Sequence, residues 1–207
     1  MGVVLFKVVQ AASLTITPRG PAACLRLYGD LPYTRRTEGP LTTELGDLNG
    51  GETRKLLIHV PVNRMPVLGP AIVAELTLTY VESRTLTTRT ITRPVSVNVV
   101  SADQAAARVP DPAVRAERLF HDAQEARLRA SDALLRDDVD TAATILTSVI
   151  DALHQGLAWA PNADELLTEM AILRRHARDA RHDGARVSKQ VRSEWHTRTR
   201  KRGRFYE

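Results

Sequence analysis

The chain has 207 residues, 43% of them hydrophobic and 26% charged; this is ordinary globular usage, so a buried core is available and wholesale disorder is excluded. Aromatic residues make up only 4% and Cys24 is the single cysteine, so the core must be aliphatic, and neither a disulfide framework nor a cysteine-based zinc site can form. The net charge of +5 raises a nucleic-acid reading that depends on where the charge lies.

The segment Met1–Gln10 is apolar, but it has no basic leader and Lys7 interrupts it. Val3–Val9 is far shorter than the roughly 20 apolar residues of a membrane span, and it fits a secretory signal poorly. Phe6 stands where N-myristoylation needs Ser or Thr. These features predict a cytoplasmic chain, without membrane attachment, whose first residues form a β-strand.

Residues 3–100 read as β. Leu14 and Ile16 alternate with Ser13, Thr15 and Thr17; Leu25 and Leu27 with Arg26 and Tyr28; Leu41, Thr43 and Leu45 with Thr42 and Glu44. Leu56, Ile58 and Val60 oppose Lys55 and His59; Ala74, Leu76, Leu78 and Tyr80 oppose Glu75, Thr77 and Thr79; Val95, Val97 and Val99 oppose Ser96 and Asn98. A period of two puts one face of each strand on a core and leaves the other in water. Turn residues punctuate the runs at Pro18–Pro21, Gly29-Asp30, Gly39-Pro40, Asn49–Gly51 and Gly69-Pro70, and Val81–Arg84 predicts a hairpin. Six or seven such strands in about 100 residues predict a sandwich.

The pattern changes at residues 101–111, an Ala-rich linker ending in Val109-Pro110-Asp111. Asp111 followed by Pro112 is a helix start, because the carboxylate accepts from free N–H groups and Pro loses nothing at the first helical position. Three helices are predicted, at about 112–136, 140–157 and 163–182. The first carries Val114, Leu119, Ala123, Ala126, Ala130, Ala133 and Leu134 near one face. The second carries the stripe Ala142, Ile145, Leu146, Val149, Ile150, Leu153 and Leu157, and the third Leu166, Leu167, Met170, Leu173 and Ala177. Asp137, Asp138 and Asp140 break the first helix and cap the second; Asn162 and Glu165 have capping-box spacing. The small Ala residues suit close antiparallel packing of a tetratricopeptide-like hairpin.

Residues 185–207 read as a basic tail. They hold eight basic residues, Arg186, Lys189, Arg192, Arg198, Arg200, Lys201, Arg202 and Arg204, against Glu194 and Glu207. The tail's net +6 leaves −1 for residues 1–184. With Trp195, Phe205 and Tyr206 interleaved, these cations are the candidate contacts to a phosphate backbone or an acidic protein surface. The competing reading is a solvated terminus.

Motifs for catalysis and metal binding are missing. The six histidines, His59, His121, His154, His176, His182 and His196, form no His-x3-His pair, and isolated ones on charged helix faces are usually solvated. There is no Gly-x-Ser-x-Gly, phosphate-binding Gly-Lys-Ser/Thr or Gly-x-Gly-x-x-Gly motif. The three aspartates lack the glycine and distal glutamate of a calcium loop. Cys24 reads as a small buried hydrophobe. No catalytic, cofactor or metal residue is therefore assigned.

Leu45-Gly46-Asp47-Leu48-Asn49-Gly50-Gly51-Glu52, before a strand at Arg54–Val60, reads as strand, turn, strand. This segment, the strand Leu76–Tyr80, the valine-alternating strand Val95–Val99 and the Ala/Leu-rich hairpin Ala126–Leu157 come in an order that resembles bacterial von Willebrand factor type A (vWA) domain proteins. The likeness is to the region following their vWA domain and covers about Val8 to Leu157. The family's metal-ion-dependent adhesion site rests on Asp-x-Ser-x-Ser, which is absent from this sequence, so no metal ligand carries over. The chain looks like the distal half alone, either a lone module or a fragment whose vWA domain lies on another polypeptide.

The sequence thus predicts a segregated α+β chain: a β-sandwich over 1–100, a linker at 101–111, a helical region at 112–184 and a basic tail at 185–207. The expected role is a non-catalytic protein-interaction or scaffold module with a vWA-type or other multi-component partner, through sheet edges or the hairpin. Val3–Val9 is a candidate strand for pairing across chains. The alternative is nucleic-acid binding through Arg186, Lys189, Arg192, Trp195, Arg198, Arg200, Lys201, Arg202 and Arg204.

Overall fold

A computed structural model describes residues 6–20, 22, 25–35, 39–62, 65, 67–200 and 205–206. The chain divides into two compact units, Met1–Arg108 with Arg202–Glu207, and Val109–Lys201. Cys24 and the start of the Val3–Val9 segment lie outside the described residues.

The first unit is built on a five-stranded antiparallel sheet. Its strands are β1 (Lys7–Pro18), β3 (Tyr33–Arg35), β4 (Leu41–Asn49), β7 (Gly69–Glu82) and β8 (Thr87–Val99), in the order β3-β4-β1-β7-β8. Short β2 (Arg26–Leu27) pairs with β6 (Ile58–His59), and β5 (Glu52–Thr53) with β9 (Phe205–Tyr206). A short helix, α1 (Ala102–Ala106), interrupts the expected linker. The period-two pattern explains the core. Ile16 sits between Leu41 and Leu76 across three strands. These side chains, with Ala74, pack against Leu25, Leu27, Leu56, Ile58 and Val60.

Several strand expectations change. In place of two comparable sandwich layers, the described residues form one broad sheet, and residues of the β2–β6 ribbon pack into its core. Only two residues each of the Leu25–Tyr28 and Leu56–Val60 runs pair as strand. Lys7–Val9 is no free strand either: β1 is central, with Lys7 opposite Asn49 and Val9 opposite both Leu48 and Glu82. Gly69-Pro70, expected as a turn, opens β7, while the predicted hairpin turns at residues 83–86.

The second unit contains α2 (Pro112–Leu135), α3 (Val139–Gly156), α4 (Ala163–Asp179) and α5 (Gly184–Arg200). Asp111 caps α2 through Ala113 N (2.8 Å) and Val114 N (3.2 Å); Asp138 caps α3 through Thr141 N at 3.0 Å. The expected capping box at Asn162 differs, because its amide Nδ2 donates to Glu165 Oε2 at 2.6 Å and its side chain caps no backbone N–H. The apolar stripes meet in one core, where Ala123, Ala126, Ala130 and Ala133 of α2 let Leu146, Ile150 and Leu153 of α3 approach closely. Gly156 serves that approach, since a Cβ there would stand 2.7 Å from Leu119 Cδ1.

The expected tail is corrected most. Residues 184–200 form a helix that joins this core by burying Val187 and Val191. Strong enrichment in charge masked a short apolar stripe at i and i+4. The helical unit therefore has four helices where three were expected.

Candidate interaction surfaces

Each unit builds a network on an arginine. In the first, Asp47, Glu52 and Arg54 organise the segment Leu45–Glu52. β4 continues through it to Asn49, with Gly46 in the left-handed region (φ +72°) opposite Ala12 and a register irregularity beside it. The Asp47 carboxylate accepts from Ala11 N–H at 3.1 Å and pairs with Lys7 at 2.6 Å, contacts that hold it below the usual carboxylate range, Lys7 foremost. After the Gly50-Gly51 turn, Glu52 accepts from the backbone N–H and the side-chain amide of Asn49 at 3.0 and 3.2 Å. Arg54 Nε donates to Glu52 at 2.7 Å, and its guanidinium also reaches the carbonyls of Leu45 and Asp47. Glu52 thus locks the turn of the segment Leu45–Glu52.

In the helical unit Arg127 of α2 is fully buried. Its Nη2 lies 2.6 Å from Glu169 Oε1 of α4, and its Nη1 lies 2.9 Å from Glu194 Oε2 of α5. Gln124 Nε2 also donates to Glu169, at 2.8 Å. His176 is fully buried rather than solvated; its Nε2 stands 3.4 Å from Glu194 Oε2, and no well-formed hydrogen bond reaches either ring nitrogen. Burial pushes its pKa down, against the pull of Glu194 and with the help of Arg127. Burial works to raise the Glu194 pKa, but the Gln190 hydrogen bond and neighbouring charges, Arg127 among them, hold it below the usual range. Ser131 and Ser188 bond to each other across α2 and α5 at 2.9 Å. Sequence reasoning missed Arg127, Glu169 and His176 because charged residues on amphipathic helices are normally assigned to water.

The described candidate cations, Arg186, Lys189 and Arg192, are exposed on α5. Arg186 pairs with Asp183 at 3.3 Å and Arg192 with Asp132 at 2.5 Å, while Lys189 is exposed and makes no ion pair among the described residues. Trp195 is half-buried and edge-on to His196, with 4.7 Å between ring centroids. The side chains of Arg198 and Arg200 lie outside the described part of α5, and Lys201, Arg202 and Arg204 lie outside the described residues.

Two further surfaces are open. A shallow groove of about 360 Å³ runs between α2 and α3, lined by Ala126, Ile145, Val149 and Ala152 with Asp122 and Arg129 at its margins. The sheet ends on β8, where Thr87–Pro94 are all exposed. Among the described residues no group of three or more His, Cys, Asp or Glu side chains is arranged to hold a metal ion, and no helix is long and apolar enough to cross a membrane.

No family model matches the chain, and no curated protein matches it. Two solved structures are similar. One is a von Willebrand factor type A protein from Catenulispora acidiphila, with a TM-score of 0.52 and 14% identity over 72% of this chain and 37% of that one. The other is the ArnB paralog VWA2 from Sulfolobus acidocaldarius, with a TM-score of 0.46 and 12% identity over 89% of this chain and 42% of that one. The first likeness is one of fold, and this chain spans well under half the length of either protein.

Proposed function

We propose that this chain is a non-catalytic protein–protein interaction module, comparable to the distal half of a vWA-domain protein and working within a multi-component assembly. The observation that carries this reading is the fold shared with about a third of the Catenulispora vWA protein, joined to a sheet whose long last strand is left open. Sheet edges that are neither covered nor paired are sites where another chain adds a strand.

The test is purification of the tagged intact chain from its native host after nuclease treatment, washed at about 0.5 M salt, where exposed charge pairs are largely screened. A protein retained in fixed stoichiometry is the expected result. Recovery of the chain alone would overturn the reading. The nucleic-acid alternative rests on the row Arg186, Lys189 and Arg192 along α5; it requires affinity for DNA or RNA that falls steeply with salt and disappears when all three are changed to Glu. The Asp183 and Asp132 carboxylates already neutralise two of those three cations, which favours the protein partner.

A further inference from the structure

We infer that the free edge of β8 takes up an extended segment of a partner protein carrying two acidic residues four positions apart, with an apolar residue midway between them. The inference rests on the interaction-module reading above and names the partner's chemistry.

β8 is 13 residues long and pairs only with β7 among the described residues. An edge strand keeps a row of backbone donors and acceptors turned outward, and these are the groups a strand addition uses. Pro94 lacks a backbone N–H, so the stretch with every donor present is Thr87–Arg93. Natural sheets block such edges with bulges, Pro, charged side chains or very short strands; β8 carries Pro94 and the charges of Arg89 and Arg93, which deter a like-charged strand and leave an acidic one admissible. Here the irregularity in the β7–β8 pairing lies beyond Pro94, between Ile72 and Ala74 of β7, and the register from Leu76↔Arg93 to Glu82↔Thr87 is unbroken.

The side chains of that stretch specify the occupant. Arg89, Ile91 and Arg93 alternate on one face, opposite Tyr80, Leu78 and Leu76 of β7. Ile91 is 40% exposed, because the core layer that covers Leu76 and Val95 does not extend over it. A strand laid beside β8 would cover Ile91 with its own apolar residue at the facing position. Arg93 makes no ion pair among the described residues, and Arg89 reaches only Glu82, at 3.4 Å and with 56% of its side chain exposed. Facing carboxylates would pair with both guanidinium groups. The same charges work against a second copy: the register that sets Ile91 against Ile91 also sets Arg89 against Arg93 twice, and like charges directly opposite are destabilising.

The experiment measures binding of synthetic peptides to the intact chain. The probe is Thr-Thr-Glu-Thr-Ile-Thr-Glu-Thr-Thr; the controls are the same peptide with Lys for Glu, and the Glu peptide with alternate amides N-methylated. The Glu peptide should bind about tenfold or more tightly than the Lys peptide, the scale of two exposed ion pairs made rather than reversed. The doubly substituted chain, Arg89→Glu with Arg93→Glu, should invert that preference. N-methylation should abolish binding, since it removes the backbone donors without altering charge. Equal affinity for the Glu and Lys peptides, or undiminished binding of the N-methylated one, would overturn the inference. So would a chain that self-associates and becomes monomeric on Thr90→Pro, which would give the edge to a second copy. If no peptide binds while the stoichiometric partner is still retained, the β8 assignment falls and the module reading stands; loss of both results removes both.

Discussion

The two arginine networks solve different problems. Arg54 binds Glu52, two residues away, and carbonyls within nine residues of itself, so its network closes one turn. Arg127 joins three helices, reaching Glu169 42 residues away and Glu194 67 residues away. A local network can form as soon as its own turn forms. The long-range one exists only when α2, α4 and α5 are assembled, so it reports on the helical arrangement as a whole.

The strongest way to break that comparison is Arg127→Met. It takes the guanidinium away from Glu169, which is 1% exposed and also accepts from Gln124. Removing one partner of a buried pair costs about 3–5 kcal/mol because the remaining charge is uncompensated. Chemical denaturation followed by helical circular dichroism should register a loss of that size. Replacing Arg127 and Glu169 together by Met and Leu should recover most of it, since apolar pairs of similar volume replace buried ion pairs well. A double variant as unstable as the single one would show that shape, not charge, is what Arg127 supplies.

Arg54→Met should cost less, about 1–3 kcal/mol, the penalty for losing a charged donor where other donors remain. Glu52 keeps its two bonds from Asn49. The loss should be confined to the sheet, with hydrogen exchange rising in β4 and β5 while the amides of α2–α5 keep their protection. Equal deprotection of the helices would contradict the division into two units.

His176 sharpens the comparison further, because the helical network contains a buried imidazole whose ordinary pKa is 6.5. Its folded pKa lies below the ordinary 6.5, so as pH falls through 6.5 the unfolded chain takes up the proton first. This contribution is then complete well above pH 6.5 and declines as pH falls from 6.5 through the folded pKa, by at most about 1.4 kcal/mol per unit for one proton. Glu194, also depressed below its ordinary 4.5, adds a second loss as pH falls from that value through its folded pKa. In His176→Gln the decline that begins near pH 6.5 should flatten while the fall below pH 4.5 remains. An unchanged slope in denaturation midpoints would place the titrating group elsewhere.

These contrasts also explain what could be read in advance. The positions of β4, β7 and α3 follow from periodicity, as do the second half of β1 and the last run of alternation in β8, Val95–Val99, and Asp111 and Asp138 cap as their spacing requires. The order of pieces from Leu45 to Leu157 pointed toward vWA-domain proteins, and the structural likeness agrees at the level of fold. What stayed hidden was non-local. Nothing in the sequence around Arg127 says that Glu169 and Glu194 will meet it, so it looked like one more solvated charge. α5 was concealed for the same reason, its two buried valines outnumbered by cations.

The smallest expected effect tests whether the sheet is held by any such specific contact on its outer face. Thr34, Thr42, Thr15, Thr77 and Thr92 face one another in one row across all five strands, with hydroxyl contacts of 3.0 Å between Thr15 and Thr42 and 3.3 Å between Thr77 and Thr92. These hydroxyls are half-buried or exposed, so water can replace a lost partner. Valine keeps the β-branched shape that suits a pleated strand. Thr77→Val should therefore change stability by no more than about 0.5 kcal/mol in either direction, within the lower range for cross-strand pairs. A loss above about 1.5 kcal/mol would mean that the hydroxyl row acts as one cooperative network, and the sheet would then resemble the helical unit in depending on contacts between residues far apart in the chain.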